Sequence, residues 1–274
     1  MIRPFVKWVG GKRQIMKKIK EHIPKEFNTY FEPFVGGGAV LFELTPKKAV
    51  INDYNQELIN VYNVLMGNDL NNLFKQLKIH EKNNSEDYYY AVRNMDRDQE
   101  EYAKLRDYEK AARTIYLNKT CFNGLYRVNS KNQFNVPFNK SNKVNTFEPD
   151  NLKMIHEYLT KNEITILNAD FEEAVKDAKE GDFVYFDPPY DHLKDDSFTS
   201  YTDKGFKKED QVRLFNCYKR LDEKGVKVML SNHNTPFINE LYKDYTIVVI
   251  EAKRNINSVG SKRGSVEETI IRNY

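Results

Sequence analysis

Phe183-Val184-Tyr185-Phe186-Asp187-Pro188-Pro189-Tyr190 is the stretch that decides the fold, because here an apolar run passes directly into a rigid turn. Four consecutive aromatic or β-branched residues, bounded by a turn signal, predict a strand. Each proline fixes φ near about −65° and has no N–H, and the residue before a proline avoids the helical region. The strand therefore ends at Asp187. Open α/β sheets hold ligands at the carboxyl ends of their strands, so this turn is a candidate site.

The turn combines a carboxylate, a free carbonyl and an aromatic ring. A planar amine bound there would donate its two hydrogens to Asp187 and to the Pro188 carbonyl, with its ring lying on Tyr190. The alternative is that the turn only ends the strand and binds no ligand. Two prolines commonly end a strand, and an aspartate before them can simply cap the turn.

Similar apolar runs alternate with amphipathic segments over much of the chain. Strands are predicted at residues 30–34, 49–52, 164–167, 182–186, 226–231, 245–251 and 268–273, and helices at 171–177, 208–223 and 236–242. Strands that alternate with helices indicate an α/β fold with a largely parallel sheet and helices on both faces. We expect seven strands, with the last two antiparallel.

The region between the second and third predicted strands has a different pattern. From residue 57 to 119 apolar residues recur at helical spacing, as at Leu58, Tyr62 and Leu65, and no strand signal interrupts them. Residues 121–140 then alternate around a polar Asn-Ser-Lys-Asn turn, which predicts a hairpin. At 274 residues the chain is longer than a typical domain of about 150. We therefore predict one α/β domain, residues 1–56 and 148–274, interrupted by a helical insertion, residues 57–147.

Composition excludes several classes of protein. Cys121 and Cys217 are the two cysteines, and their spacing does not suit a metal site, so we expect a reducing cytoplasm and no metal. No apolar run approaches the roughly 18 residues that cross a membrane, and the N-terminus lacks the apolar segment of a signal peptide. We expect no membrane partner.

The positive charge is segregated although the net charge is only +3. Residues 1–20, 111–147 and 252–266 carry 17 of the 43 Lys and Arg residues and none of the 40 Asp and Glu residues. Two of these stretches interleave their cations with Asn, Phe, Tyr and Gly. This mixture favours a nucleic-acid surface, because cations that neutralise phosphates release counterions. The alternative is an ordinary solvated face.

A glycine turn and a second acidic residue indicate a nucleotide site. Val35-Gly36-Gly37-Gly38 follows the strand at 30–34, and Asp53 ends the next strand. Doubly wound folds hold ribose hydroxyls with an acidic residue at a similar offset from their glycines. Two alternatives remain open at this point: Asp53 can cap the helix that begins near Asn55, and the turn can belong to a dinucleotide-binding oxidoreductase.

Three motifs together resemble the Dam family of DNA adenine methyltransferases. They are Lys7-Trp8-Val9-Gly10-Gly11-Lys12, then Phe31-Glu32-Pro33-Phe34-Val35-Gly36-Gly37-Gly38, and the distant Asp187-Pro188-Pro189-Tyr190. Residues 122–127, 134–138 and 230–233 add supporting matches. The resemblance covers nearly the whole chain, and the order is the family's: cofactor segment, DNA-reading insertion, catalytic turn.

The resemblance implies a Rossmann-like methyltransferase sheet, S-adenosylmethionine as the cofactor and adenine in double-stranded DNA as the substrate. The catalytic residues would be Asp187, Pro188, Pro189 and Tyr190. The cofactor would contact Trp8, Lys12, Phe34, Gly36, Gly38, Asp53 and Asp187. Adenine inside a duplex cannot reach such a pocket, so the base must be flipped out. Trp8 has the alternative role of ordinary core.

By the same resemblance, the insertion reads the DNA sequence. The DNA-binding residues would be Lys7, Phe122, Asn123, Leu125, Arg127 and Pro137. Arginine suits guanine, because it offers two donors to two major-groove acceptors. Alternatively Phe122 and Leu125 are core, and Arg127 meets only phosphate.

The family's usual target is GATC, which we expect here. This chain departs from the family where Pro137-Phe138 continues as Asn139-Lys140-Ser141 instead of Gly-Arg-Tyr. Methyl transfer to RNA or to a protein amide, and a catalytically silent DNA-binding regulator, are the alternative functions. A monomer suffices for the reaction, and the oligomeric state stays open. A nucleoid-associated bacterial or phage enzyme of the cytoplasm is expected, with or without a companion nuclease.

Overall fold

The computed structural model describes residues 1–141, 144–192, 205–253 and 265–274. Its strands are β1 (Tyr30–Glu32), β2 (Lys48–Asn52), β3 (Glu163–Leu167), β4 (Phe183–Phe186), β5 (Lys227–His233), β6 (Thr246–Lys253) and β7 (Ser265–Arg272). They form a seven-stranded sheet in the order β3-β2-β1-β4-β5-β7-β6. The first five strands in this order are parallel, and β7 is antiparallel to both β5 and β6. The predicted α/β class, seven strands and antiparallel final pair are confirmed.

Eleven α-helices lie within the described residues. They are α1 (Met16–His22), α2 (Ala39–Leu44), α3 (Gln56–Met66), α4 (Leu70–Asn83), α5 (Glu86–Asn94), α6 (Gln99–Lys104), α7 (Asp107–Thr120), α8 (Pro149–Lys161), α9 (Phe171–Ala174), α10 (Lys208–Glu223) and α11 (Pro236–Leu241). None of the described helices has the length and hydropathy needed to cross a membrane. The helix predicted at 171–177 ends at Ala174. Beyond it the Ala178 N–H donates to the Val175 carbonyl in a tight turn, and both side chains are buried in a hydrophobic cluster. Strand β1 stops at Glu32, since Pro33 has no N–H to donate.

Alternate residues of the central strands enter two separate hydrophobic clusters. In β4, Phe183 and Tyr185 belong to the cluster that includes the buried residues of α3 and α8. Val184 and Phe186 belong to the cluster that includes the buried residues of α10 and α11. Successive side chains of a strand point to opposite faces, so both faces of the sheet are covered by helices. The apolar run of β4 is continuous because neither face meets water.

The helices between β2 and β3 contribute to two cores. Helices α3, α4 and α7 share the first cluster with the sheet, through residues such as Leu58, Leu73 and Ala111. A third cluster lies entirely within residues 57–147 and joins Tyr89 of α5 to Phe134 and Phe138 of the following loop. The division of the chain at residues 56/57 and 147/148 stays a prediction.

The hairpin predicted at 121–140 is not a continuous ladder. Two isolated antiparallel bridges, Cys121 with Phe138 and Val128 with Phe134, hold the segment together. A 3-10 turn over Phe122–Gly124 interrupts the outgoing arm, where Asn123 has φ of 57°. On the returning arm Pro137 has no N–H to donate. The polar turn is confirmed, because the Asn132 N–H donates to the Asn129 carbonyl at 2.9 Å. Most of the basic stretch at 252–266 lies outside the described residues.

Candidate active site

The carboxyl ends of β1, β2 and β4 open into one cleft of about 2210 Å³. Its other walls come from the N-terminal segment and from the loop after α7. Twelve of the residues predicted for the site line it: Lys7, Trp8, Lys12, Phe34, Gly36, Asp53, Asn123, Leu125, Asp187, Pro188, Pro189 and Tyr190. Gly38, Phe122, Arg127 and Pro137 are not among the lining residues. The parallel strands thus bring distant parts of the chain to one edge of the sheet.

An ion pair joins the N-terminal segment to the turn after β4. The Lys12 Nζ atom lies 2.7 Å from Asp187 Oδ1, and Lys12 is only 3% exposed. The Asp187 side chain keeps 19% of its surface exposed. Burial raises the pKa of Asp187, and the Lys12 ammonium opposes that rise. Since Oδ1 is itself buried, the accessible part of the carboxylate is left for a ligand in the cleft.

Tyr190 is held on three sides. Its hydroxyl donates to Glu268 Oε2 at 3.2 Å, and its ring meets the His233 ring edge-to-face at 4.9 Å. The Lys12 ammonium lies 4.7 Å from the centre of the ring. Burial raises the pKa of Tyr190 well above its ordinary value, so the phenol stays neutral. The aromatic ring is therefore fixed in orientation beside Asp187.

A buried pair of amide side chains fixes the backbone of the turn after β4. Gln211 of α10 donates through Nε2 to the Pro189 carbonyl at 2.9 Å, and its Oε1 accepts from Asn232 Nδ2 at 3.1 Å. Asn232 in turn accepts from the Asp191 N–H at 2.8 Å. Both amides are almost completely buried. Hydrogen bonds in a buried network hold the turn in one conformation.

The glycine turn approaches Trp8 so closely that a side chain would not fit. Gly36 has φ of 50°, and a Cβ there would lie 2.7 Å from Trp8 Cδ1. Gly38 also has a positive φ, but a Cβ there would meet Phe42 and the Tyr62 hydroxyl, each at 2.6 Å. The requirement for glycine at position 36 therefore concerns the cleft wall, whereas at position 38 it concerns packing inside the core.

Asp53 connects the glycine turn to the start of α3. Its Oδ2 accepts from the Gly36 N–H at 3.0 Å, and its Oδ1 accepts from the Asn55 N–H at 2.9 Å. Asn55 itself caps α3 by accepting from the Leu58 N–H. Burial raises the pKa of Asp53 to about 6, although both N–H groups favour the carboxylate. The interpretation of Asp53 as the helix cap is therefore wrong: Asn55 caps α3, and Asp53 connects the cap residue to the glycine turn.

The loop after α7 is bonded to the N-terminal segment through Asn118. The Asn118 side chain accepts from the Lys7 N–H and donates to the Lys7 carbonyl, both at 2.8 Å, and it also donates to the Gly124 carbonyl at 3.1 Å. The Trp8 and Tyr126 rings lie 5.1 Å apart. Trp8 therefore contacts both the glycine turn and this loop.

The loop residues differ in exposure. Phe122 is 51% exposed, so the interpretation of Phe122 as core is wrong. Leu125 packs against the third hydrophobic cluster and also faces the cleft. The Phe122 N–H donates to the Pro137 carbonyl at 2.8 Å, which brings these two predicted DNA-binding residues together. Arg127 is exposed on the same loop.

Comparison with known proteins identifies the family of the chain. The profile of the D12 class of N6 adenine-specific DNA methyltransferases matches residues 8–256. The chain belongs to this family. A type II methyltransferase of Lactococcus lactis subsp. cremoris is 51% identical over 274 residues, covering 100% of this chain and 96% of that protein. A type II methyltransferase of Methanocaldococcus jannaschii is 41% identical, with 100% and 99% covered. A DNA adenine methylase of Haemophilus influenzae is 33% identical, with 98% and 92% covered.

As a D12-class methyltransferase, the protein is an adenine-specific DNA methyltransferase, and membership implies S-adenosylmethionine as the cofactor and DNA as a partner. The resemblance to the Dam family is confirmed. The oxidoreductase interpretation of the glycine turn is wrong.

Sequence reasoning missed several residues of this methyltransferase cleft. Glu32 is buried at the end of β1, accepts from the Tyr30 hydroxyl at 2.9 Å and has a pKa raised well above its ordinary value by burial. Asn168 follows β3 and donates to the Asp53 carbonyl at 2.8 Å. A signal existed for Asn168, because Asn168-Ala169-Asp170 follows a predicted strand as Asp53 does. Gln211 and Glu268 carried no comparable signal.

Proposed function

We propose that the protein transfers a methyl group from S-adenosylmethionine to the exocyclic amine of an adenine that has flipped out of double-stranded DNA. One observation carries the proposal. The Asp187 carboxylate is paired with Lys12, partly exposed to the cleft and adjacent to the fixed ring of Tyr190. That arrangement suits a planar base with an amino group at its edge.

The residues of the cleft fit S-adenosylmethionine. Asp53 offers a carboxylate to ribose hydroxyls, and the Gly36 turn leaves room for close approach beside Trp8. Tyr54, 68% exposed, and Phe171 supply aromatic surface on the cleft wall. When bound, this cofactor supplies a methyl group already activated by a positive sulfur. Phe34 stacks on Phe171 at 5.5 Å between ring centres, which closes that side of the pocket.

The chemistry of the chain's own residues is electrostatic. The lone pair of an adenine amine is delocalised into its ring, so the nitrogen is a weak nucleophile. Hydrogen bonds from its two N–H groups to Asp187 and to the Pro188 carbonyl would offset the positive charge that develops on it. Preorganised acceptors of this type contribute roughly 2.7–4 kcal/mol each. The Lys12 ammonium favours the ionised carboxylate against the effect of burial, and the Gln211–Asn232 pair keeps the turn in place.

The DNA would lie across the cleft against the N-terminal segment and the loop after α7. Lys7, Phe122, Asn123, Leu125, Arg127 and Pro137 are the residues that we assign to it. We assign residues 57–147 to target recognition, and residues 1–56 and 148–274 to a catalytic domain with a Rossmann-like sheet. GATC is the target sequence that we propose, and a role in restriction–modification is supported by two relatives that are type II methyltransferases.

Sequencing of modified bases tests this proposal. DNA from a methylation-deficient host that expresses the protein should carry N6-methyladenine at one short sequence, and Asp187→Ala should leave the DNA unmodified. Purified protein with tritiated cofactor should label duplex DNA and neither RNA nor protein. Label on RNA or protein, or full turnover by Asp187→Ala, would contradict the proposal. Methyladenine at a sequence other than GATC would contradict only the proposed target sequence.

A further inference from the structure

Among the residues that the structure describes, Asn135 is the neighbour that binds the Arg127 side chain. The Arg127 Nε atom donates to Asn135 Oδ1 at 2.7 Å, and one Nη2 hydrogen is directed at the Asn135 carbonyl at 3.3 Å. The Asn135 N–H also donates to the Arg127 carbonyl at 3.0 Å. Three bonds therefore connect these two residues across the loop. This is unusual order for an exposed arginine, whose side chain otherwise has many rotamers.

The bonds leave a defined part of the guanidinium available. Arginine carries five N–H donors in a planar fork. With Nε and one Nη2 hydrogen occupied, three donors have no partner within the described part of the chain, and they include the parallel pair on Nη1 and Nη2. That pair matches the O6 and N7 acceptors of guanine in the major groove. Asn135 thus selects which edge of Arg127 faces outward.

Asn135 is rigid because both neighbouring peptides are bound from behind. The Phe134 N–H donates to Asp96 Oδ2 at 2.8 Å, and the Phe134 carbonyl accepts from Arg97 at 2.6 Å. The Val136 carbonyl accepts from the buried Tyr89 hydroxyl at 2.8 Å. All three donors and acceptors come from α5 and the 3-10 turn after it.

The support behind Asn135 reaches the interior of the insertion. Asp96 pairs with Arg113 at 2.8 Å, and both side chains are nearly inaccessible to water. Arg113 also donates to the Val92 and Arg93 carbonyls at 3.0 and 2.8 Å. A buried ion pair with additional hydrogen bonds has one geometry, so the returning arm of the loop cannot shift easily.

We infer that Asn135 is a positioning residue for target recognition, which orients Arg127 so that its Nη1/Nη2 edge reads one base pair. The inference rests on the proposed function, in which Arg127 contacts a base. Prior ordering of a flexible side chain lowers the entropy cost of binding. The ordered fork also resists the tilt that a wrong base would require.

Methylation rates on the target and on single-base variants of it test this role. Arg127→Ala should lower discrimination at one base pair by about 5–150-fold. Asn135→Ala should lower discrimination at that same base pair by about 3–10-fold, since Arg127 remains but is no longer held. In the double variant, Asn135→Ala should add nothing to the effect of Arg127→Ala. Ser130→Ala, at the exposed tip of the loop, is the matched control and should behave as the wild type.

Asn135→Asp separates positioning from a contact with phosphate. The substituted carboxylate still accepts from Arg127 Nε, so discrimination should be retained, even if affinity for every DNA falls. An equal loss of methylation rate on every DNA site with Asn135→Ala, or an additive effect in the double variant, would overturn the inference. Either result would leave the proposed contact of Arg127 with a base unaffected. Unchanged discrimination with Arg127→Ala would instead contradict the proposed function at that residue.

Discussion

Replacement of Asp187 by asparagine should abolish efficient methyl transfer while leaving the shape of the site unchanged. Asparagine has the volume of aspartate and keeps one carbonyl oxygen, but it has no charge to offset a positive nitrogen. The loss of one preorganised charged acceptor costs roughly 2.7–4 kcal/mol of transition-state stabilisation. We therefore expect kcat to fall by about 10²–10³-fold. Affinity for duplex DNA should change little, because the proposed function assigns most DNA contacts to the N-terminal segment and to the loop after α7.

The same substitution should also lower the stability of the protein. Lys12 is almost fully buried and would lose its counter-ion, although it keeps a hydrogen bond to the Gly10 carbonyl at 2.5 Å. Breaking a buried pair by removing one partner costs about 3–5 kcal/mol. Because Asp187 is partly exposed, we expect a cost at the lower end of that range, about 3 kcal/mol. At about 2 °C for each kcal/mol in a chain of this size, Tm should fall by about 6 °C.

A double variant separates the two effects. In Asp187→Asn combined with Lys12→Met, no uncompensated charge remains, so Tm should recover most of the loss while kcat stays low. The assay pairs single-turnover methyl transfer at saturating cofactor with thermal unfolding of the same samples. Recovery of turnover together with Tm would contradict an electrostatic role for Asp187, because the loss of turnover would then have come from the fold. Wild-type turnover by Asp187→Asn alone would refute it equally.

Three further perturbations have defined outcomes. Gly36→Ala would place a methyl group against Trp8 at a positive φ, so cofactor affinity measured by calorimetry should fall at least about tenfold; unchanged affinity would show that the glycine turn is not part of the pocket. Because the pKa of Asp53 is raised to about 6, cofactor affinity should weaken as pH falls through about 6 and the carboxylate gains a proton; Asp53→Asn should bind weakly at every pH. Tyr190→Ala should weaken retention of the flipped base by the roughly 1–3 kcal/mol of one stacking contact. The measurement is the fluorescence of 2-aminopurine at the target position, which should be lower than with the wild type. Tyr190→Phe keeps the ring and should keep most of the fluorescence.

The sequence predicted those features that depend on neighbouring residues. Strand β4 was predictable because both of its faces are buried, which requires an uninterrupted apolar run. The turn after β4 was predictable because two prolines leave the backbone few conformations. The polar turn at residues 129–132 was predictable for a similar reason, since Asn favours such conformations.

The missed features depend on packing between distant segments. Nothing local to Lys12 indicates that its ammonium pairs with a carboxylate 175 residues later. The predicted contact of Lys12 with the cofactor stays a prediction. Gln211 lies on a helix whose other buried residues are ordinary core, so its bond to the Pro189 carbonyl has no periodic signal. The hairpin was overpredicted, because alternation of residue types does not reveal that Pro137 and Asn123 break the ladder.

The indole of Trp8 lies between the glycine turn, to which we assign the cofactor, and Tyr126 of the loop after α7, to which we assign the DNA. A ligand that restricts the motion of Trp8 from one side changes the free energy of binding a second ligand on the other side. Thermodynamic reciprocity then demands that the two ligands help or hinder each other by one common factor. Titrating each ligand with and without the other should give equal ratios of Kd, and Trp8→Leu should bring that ratio close to one.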